Sequence, residues 1–175
     1  AYVDTVRAVV QAIEERDPYA KGHTERVVET SLEIGRQMGL GEQELSNLEI
    51  GALLHDIGKV AIPESILLKP APLDAGERAQ VQRHPERGKQ FIEQIPYLEE
   101  TIPQVLHHHE RIDGSGYPGN LAGAEIPLAA RIIAVADVFD AVTSDRPHRK
   151  RISIREAVDL IRSKAGTQFD TEVVD

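Results

Sequence analysis

Apolar residues recur at helical spacing along most of this chain. Residues 1–16 carry Val3, Val6, Val9, Val10 and Ile13, a stripe that predicts a helix. Asp17-Pro18-Tyr19 closes it, because proline disfavours helix in the residue before it. A second helix is expected over 22–38, with Val27, Ile34 and Met38 on or near one face. His23 lies in its first turn and faces inward, and Gly39 and Gly41 end the segment. In a third helix over 42–57, Leu45, Leu48, Ala52 and His55 follow 3-4-3 spacing, which puts His55 on the buried face. Pro63, Pro70 and Pro72 then mark an irregular connection with a short apolar turn at 65–68.

Asp74 is placed to cap a fourth helix, with Glu77 at the capping-box position. That helix reaches Val81 and His84, and Pro85 starts the next, whose apolar residues are Phe91, Ile92 and Ile95. Over 99–110, Ile102, Val105, Leu106 and His109 share a face, with His108 at its edge and His107 pointing away. The helix breakers from Arg111 to Gly119 predict a loop. A helix over 127–145 carries one stripe of Leu128, Ile132, Val135, Phe139 and Val142. Its second stripe reads Ala130, Ala134, Asp137 and Ala141, a carboxylate on small residues that let a neighbouring helix approach. A last helix over 153–164, capped by Ser153, carries Ile154, Ala157, Val158 and Ile161, and 166–170 reads as an interrupted helix start. No segment reads as a strand. The expected fold is a single all-α domain over 1–175, with about seven helices. Residue 1 falls inside an amphipathic pattern, as if the domain were cut from a longer signalling protein.

Composition narrows the function classes. The 175 residues are 41% hydrophobic and 28% charged, enough for one domain with its own core. A net charge of −9 argues against sequence-blind binding to nucleic-acid polymers, which takes a basic face. It leaves room for a small anionic ligand held through bound metal ions. No apolar run is long enough to cross a bilayer, and no signal-peptide pattern is present. Cysteine is absent, which excludes disulfides and thiolate zinc sites and fits a cytoplasmic setting.

The inward-facing His and Asp are His23, His55, Asp56, His84, His108, His109 and Asp137. Each lies at a helix end or on a buried face. Any one buried histidine is ordinarily a hydrogen-bonded core residue. Seven such groups buried without partners would cost several kcal/mol. Metal ions satisfy them together, and imidazole with carboxylate suits iron, manganese or zinc. Seven ligands are too many for one ion, so two ions sharing a carboxylate are expected, with Asp56 beside His55 as the bridge.

These residues carry a family resemblance. His55-Asp56 is the name-giving pair of the HD superfamily of metal-dependent phosphohydrolases. The string His55-Asp56-Ile57-Gly58-Lys59, with His108-His109-Glu110 and Asp113-Gly114-Ser115-Gly116-Tyr117-Pro118, resembles its HD-GYP subgroup. So do Arg131 to Asp137 and Ser144 to Pro147. The resemblance runs from Asp17 to Asp170. It implies a helical domain around an iron or manganese centre that hydrolyses cyclic di-GMP to linear pGpG or GMP. It places the ligands on the same seven residues. Members with three ions carry Glu four residues before the first His. Tyr19 stands there, so two ions are expected.

The resemblance also implies roles around the centre. Lys59 would contact the scissile phosphate, and Arg146 and Arg149 would contact phosphate or guanine; the plainer reading of the two arginines is a basic helix end that offsets the dipole. His148 stands where the family usually has Tyr. Glu110 would orient a metal-bound His or simply be a helix-end charge. Gly114, Gly116, Tyr117 and Pro118 form a rigid loop tied to ligand access and to a diguanylate cyclase-type partner, or a tight connection packed by Tyr117. A homodimer is a further candidate assembly. The rival readings are a phosphohydrolase for another nucleotide or cyclic dinucleotide, cyclic GMP-AMP included, a regulatory module with little turnover, and a metal-bound structural domain.

Overall fold

The computed structural model describes residues 2–17, 20–145 and 149–175. Tyr19, Arg146 and His148 lie outside the described residues, so the expectations attached to them are not addressed by it. Among the described residues no strand forms; isolated bridges join Asp113 with Ala122 and Ala165 with Phe169. The longer helices are α1 (Tyr2–Glu14), α2 (His23–Gln37), α3 (Glu42–Leu54), α5 (Ala75–Val81), α6 (His84–Ile92), α7 (Ile102–His107), α8 (Leu128–Thr143) and α9 (Ile154–Ser163). Two four-residue pieces, α4 (Glu64–Leu67) and α10 (Thr171–Val174), fall where an apolar turn and a helix start were expected. The longer helices number eight, one more than expected, with the two short pieces besides, and the all-α expectation holds.

Local chemistry sets the ends. Asp74 and Ser153 each accept from the backbone N–H three residues on, while Glu77 and Glu156 reach back, completing two capping boxes. The expected helix over 99–110 is split. Pro96–Thr101 is a 3-10 turn, and α7 starts at Ile102 because Pro103, lacking an N–H, fits only a first turn. Likewise α3 stops at Leu54, and Ile57–Ala61 continues as a 3-10 turn. Five apolar positions of the expected stripes and turns face solvent instead of the core: Val9, Leu68, Phe91, Ile95 and Ile154. Val10 on α1, Ile66 on α4, Ile92 on α6, and Ala157 and Ile161 on α9 supply the burial in their stead.

Two apolar clusters flank the end of α3. One joins Val27 and Val28 of α2, Leu48, Ala52 and Leu53 of α3, Ile132, Ile133 and Ala136 of α8, and Phe169. The other joins Val10, Leu54, Ile92, Leu98 and Val105. Helix α3 contributes to both, so His55 emerges where the two meet.

Gly58 is a close-contact glycine. A Cβ there would lie 1.8 Å from the His84 carbonyl oxygen and 2.6 Å from the Gly88 nitrogen. Without a side chain, the 57–61 turn lies directly on the start of α6 and carries Asp56 to His84. The loop after α7 is anchored in a similar way. The buried Glu110 carboxylate accepts from the backbone N–H of Gly119 (2.6 Å) and of Leu121 (3.1 Å). A Cβ at Gly116 would come within 2.4 to 2.5 Å of the backbone of 109–111. The amides of Ile112 and Asp113 donate to the Gln168 and Thr167 carbonyls, docking the loop on the C-terminal turn.

Gly58→Ala is expected to destabilise the domain by about 1–3 kcal/mol, because the new methyl meets backbone that cannot yield. Denaturant titration checks this, and a midpoint equal to the parent's would contradict the contact. Glu110→Ala leaves two loop amides without their acceptor, at a cost of about 1–3 kcal/mol. Hydrogen exchange should then accelerate at Gly119 and Leu121 but not in α2 or α3.

Candidate metal centre

The seven expected residues converge from five parts of the fold. His23 opens α2, His55 follows the last residue of α3, and Asp56 precedes the 3-10 turn. His84 opens α6, His108 and His109 follow α7, and Asp137 lies within α8. His107 points away from them, against Glu110 at 3.3 Å, as its position on the helix predicted.

Three of the rings are held by the same device. His55 Nδ1 lies 2.7 Å from the Ala52 carbonyl, His84 Nδ1 2.8 Å from that of Val81, and His108 Nδ1 2.7 Å from that of Val105. Carbonyls in the last turn of a helix lack an intrahelical partner. A histidine just past that turn donates its Nδ1–H to the carbonyl three residues back. A carbonyl only accepts, so the proton sits on Nδ1 and Nε2 keeps its lone pair, the tautomer a metal ligand needs.

Those Nε2 atoms surround Asp56. Its Oδ1 is 3.2 Å from His84 Nε2 and 4.0 Å from His108 Nε2. Its Oδ2 is 3.4 Å from His55 Nε2, 3.6 Å from His23 Nε2 and 2.6 Å from Lys59 Nζ. Two ligand sets result, Asp56 with His84, His108 and His109, and Asp56 with His23 and His55. Asp56 alone belongs to both, one carboxylate oxygen toward each. Asp137 Oδ1 stands 3.4 Å from His23 Nε2, on the second set's side.

The donors fit divalent cations. His55 Nε2 is fully buried and makes no hydrogen bond. The Nε2 atoms of His84 and His108 face each other at 3.2 Å, two lone pairs that repel unless a cation or proton lies with them. Titration favours the cation. Burial and the neighbouring His109, His55 and His84 rings push His108 well below its ordinary range. Burial and the His84 ring bring His109 down to about 3. These rings stay neutral, as ligation demands. Burial opposes charge on Asp56 and on His23 alike, but neighbours prevail. The Lys59 ammonium and the His55 and His23 rings hold Asp56 well below the usual carboxylate range. Contacts with Asp140 and Asp56 and the charge of Asp137 raise His23 to about 9. The negative cluster that favours a proton on His23 also favours a metal cation beside it.

The surroundings bear on two earlier expectations. Glu110 orients no ligating histidine; it anchors the loop, whose Tyr117 ring stacks on His109 at 5.0 Å and 20°. Pro118 follows Tyr117 through a cis peptide bond, and Gly114 takes a left-handed turn at φ 78°. Arg149 Nη2 donates to the Ala141 carbonyl at 2.6 Å, where it serves the end of α8. Sequence reasoning found no inward carboxylate beyond the seven and so missed Asp140. It is buried and lies 2.6 Å from His23 Nδ1. The signal was available: Asp137 and Asp140 are three apart on α8, so both can face the same neighbour.

Two clefts open onto the centre. One, of about 90 Å³, is lined by Ile13, Asp17, His23, Asp56, Lys59 and Leu67. The other, of about 270 Å³, is lined by His108, His109, Tyr117, Asp137 and Gln168 among others.

Comparison with known proteins is consistent with this geometry. The cyclic di-GMP phosphodiesterase response regulator RpfG of Xanthomonas campestris is 41% identical over 174 residues, covering 98% of this chain and 46% of that protein. A 3'3'-cGAMP-specific phosphodiesterase of Vibrio cholerae is 36% identical over 173 residues, covering 98% of this chain and 38% of that protein. The chain thus spans less than half the length of these relatives. A crystal structure of a cyclic GMP-AMP specific phosphodiesterase of V. cholerae superposes with a TM-score of 0.75 at 23% identity, covering 98% of this chain and 46% of the other. That likeness concerns the fold. The HD domain family model matches residues 7–173, and with His55-Asp56 at the meeting point of both ligand sets and the GYP loop packed on His109, the chain belongs to the HD domain family, in its HD-GYP subgroup.

Proposed function

We propose that this domain is a metal-dependent phosphodiesterase that hydrolyses cyclic di-GMP to pGpG or GMP in the cytoplasm. The observation that carries the proposal is the shared Asp56, with one oxygen toward each histidine set, which supports two ions rather than one. The names of the relatives supply the substrate class. Iron or manganese suits the imidazole and carboxylate donors. His23, His55, Asp56 and Asp137 would hold one ion, and Asp56, His84, His108 and His109 the other. When bound, such ions supply Lewis acidity toward the phosphodiester and lower the pKa of the attacking water.

The chain's own residues do the rest. The helix-end carbonyls keep the Nε2 atoms aimed. Lys59, half-exposed at the rim, neutralises one oxygen of Asp56 and is placed to meet a phosphate entering the cleft lined by Ile13, His23 and Leu67. An ammonium there stabilises the charge that develops on the phosphoryl oxygens and on the leaving oxygen. A diguanylate cyclase-type partner at the GYP loop belongs to the same proposal, and Asp113, Ser115, Gly119 and Asn120 expose its outer edge. The second reading is 3'3'-cGAMP as substrate, favoured by the V. cholerae relative.

Anaerobic purification, metal quantification and chromatography of both cyclic dinucleotides test these readings together. Two ions per chain and linear product from cyclic di-GMP are expected. One ion per chain would refute the dinuclear centre. Two ions without product from either nucleotide would point to a binding module. Lys59→Ala is expected to lower kcat by about 10²–10³ while metal content is retained.

A further inference from the structure

The rings of the centre are not all anchored alike. His55, His84 and His108 each donate Nδ1–H to a neutral carbonyl at the end of the preceding helical stretch. His23 cannot. It is the first residue of α2 and follows Gly22, whose φ of 71° turns the chain. No completed helical turn precedes it, and the Ala20 carbonyl already accepts from the His23 backbone N–H at 2.8 Å. Its ring is held from another helix, by Asp140 Oδ2 of α8 at 2.6 Å.

Asp140 is itself fixed from α2. Arg26, one turn after His23, places Nε 2.5 Å from Asp140 Oδ1 and Nη2 3.3 Å from Oδ2. The Ser144 hydroxyl adds a contact to Oδ1 at 3.3 Å. His23 and Arg26 on α2 thus grip one carboxylate of α8, while Asp137, one turn earlier on α8, faces His23 Nε2 on the other side of the ring. The guanidinium is partly exposed, whereas the carboxylate is 4% exposed. A buried carboxylate with a two-point arginine clamp holds a ring more rigidly than one hydrogen bond alone.

We infer that Asp140, clamped by Arg26, is a positioning residue that aims His23 Nε2 into one half of the dinuclear centre and sets the metal affinity of that half alone. This rests on the metal-centre reading under the proposed function but not on the substrate. The carboxylate fixes the Nδ1–H tautomer and makes the ring a stronger donor than a carbonyl would. The half built on His84, His108 and His109 has no carboxylate behind its rings in the contacts described, so a change at Asp140 leaves it intact.

The test is titration of the metal-free chain with Mn²⁺ by calorimetry, with electron paramagnetic resonance of the loaded protein. The parent is expected to bind two ions with a spin-coupled pair signal. Asp140→Leu is expected to keep one tight ion, to lose affinity for the other by roughly 10–100-fold, and to show an uncoupled Mn²⁺ signal at one equivalent. Asp140→Asn keeps an acceptor without the charge and should fall between the two. Arg26→Gln should weaken the same ion by a smaller factor. Circular dichroism of each variant checks folding, and if Asp140→Leu does not fold, Asp140→Asn and Arg26→Gln decide. Parent-like binding and coupling in the folded variants would overturn the inference, as would equal weakening of both ions or a parent that binds fewer than two. Metal binding as expected without cleavage of either cyclic dinucleotide would defeat the proposed substrate and leave this inference standing.

Discussion

The carboxylate of Asp56 is the constraint on which the rest of the centre depends. Four side chains approach it within 3.6 Å, and its two oxygens face different histidines. That arrangement exists only because the chain makes two abrupt moves around it. Helix α3 ends at Leu54, and the following 3-10 turn rests directly on the start of α6, through a position where a single methyl would collide with the His84 carbonyl. A residue inside a regular helix could not reach both sets. Asp56 does so because it stands between two kinds of helical turn.

The histidines illustrate how the ends of helices become chemistry. Unpaired carbonyls are an unavoidable consequence of stopping a helix. Here three of them take up Nδ1–H groups, so one interaction completes the helix end and fixes the ring's tautomer. The GYP loop follows the same economy. Glu110 gathers two loop amides, Gly116 lets the loop lie flat on 109–111, and Tyr117 then stacks on His109. The loop is therefore a wall of the centre as well as an exposed edge.

The outline of the fold was legible in the sequence because amphipathic stripes, capping boxes and prolines act over a few residues. The stripes through Leu48, Ala52 and His55 and through Val105 and His109 located buried faces without any tertiary information. Local rules failed where two elements touch. The role of Gly58 could not be read locally because its collision partner, His84, is 26 residues away in sequence. Glu110 read as a ligand's support because the loop amides it holds lie nine and eleven residues on. The spacing of Asp140 from Asp137 hinted at an inward face, but its partner, His23, is 117 residues distant and no local rule names it.

The sequence by itself determined the class of fold, which seven His and Asp side chains face inward and, through their types, that hard or borderline divalent cations suit them. Ligand type and helical phase are local properties, carried by each residue and its immediate neighbours. The tertiary structure decided how those side chains are shared: which oxygen of Asp56 faces which histidines, where Lys59 rests, and that His23 alone is held by a carboxylate from a different helix. Those are distances between elements remote in sequence, fixed only when α3, α6 and α8 pack, and no periodicity along the chain encodes them.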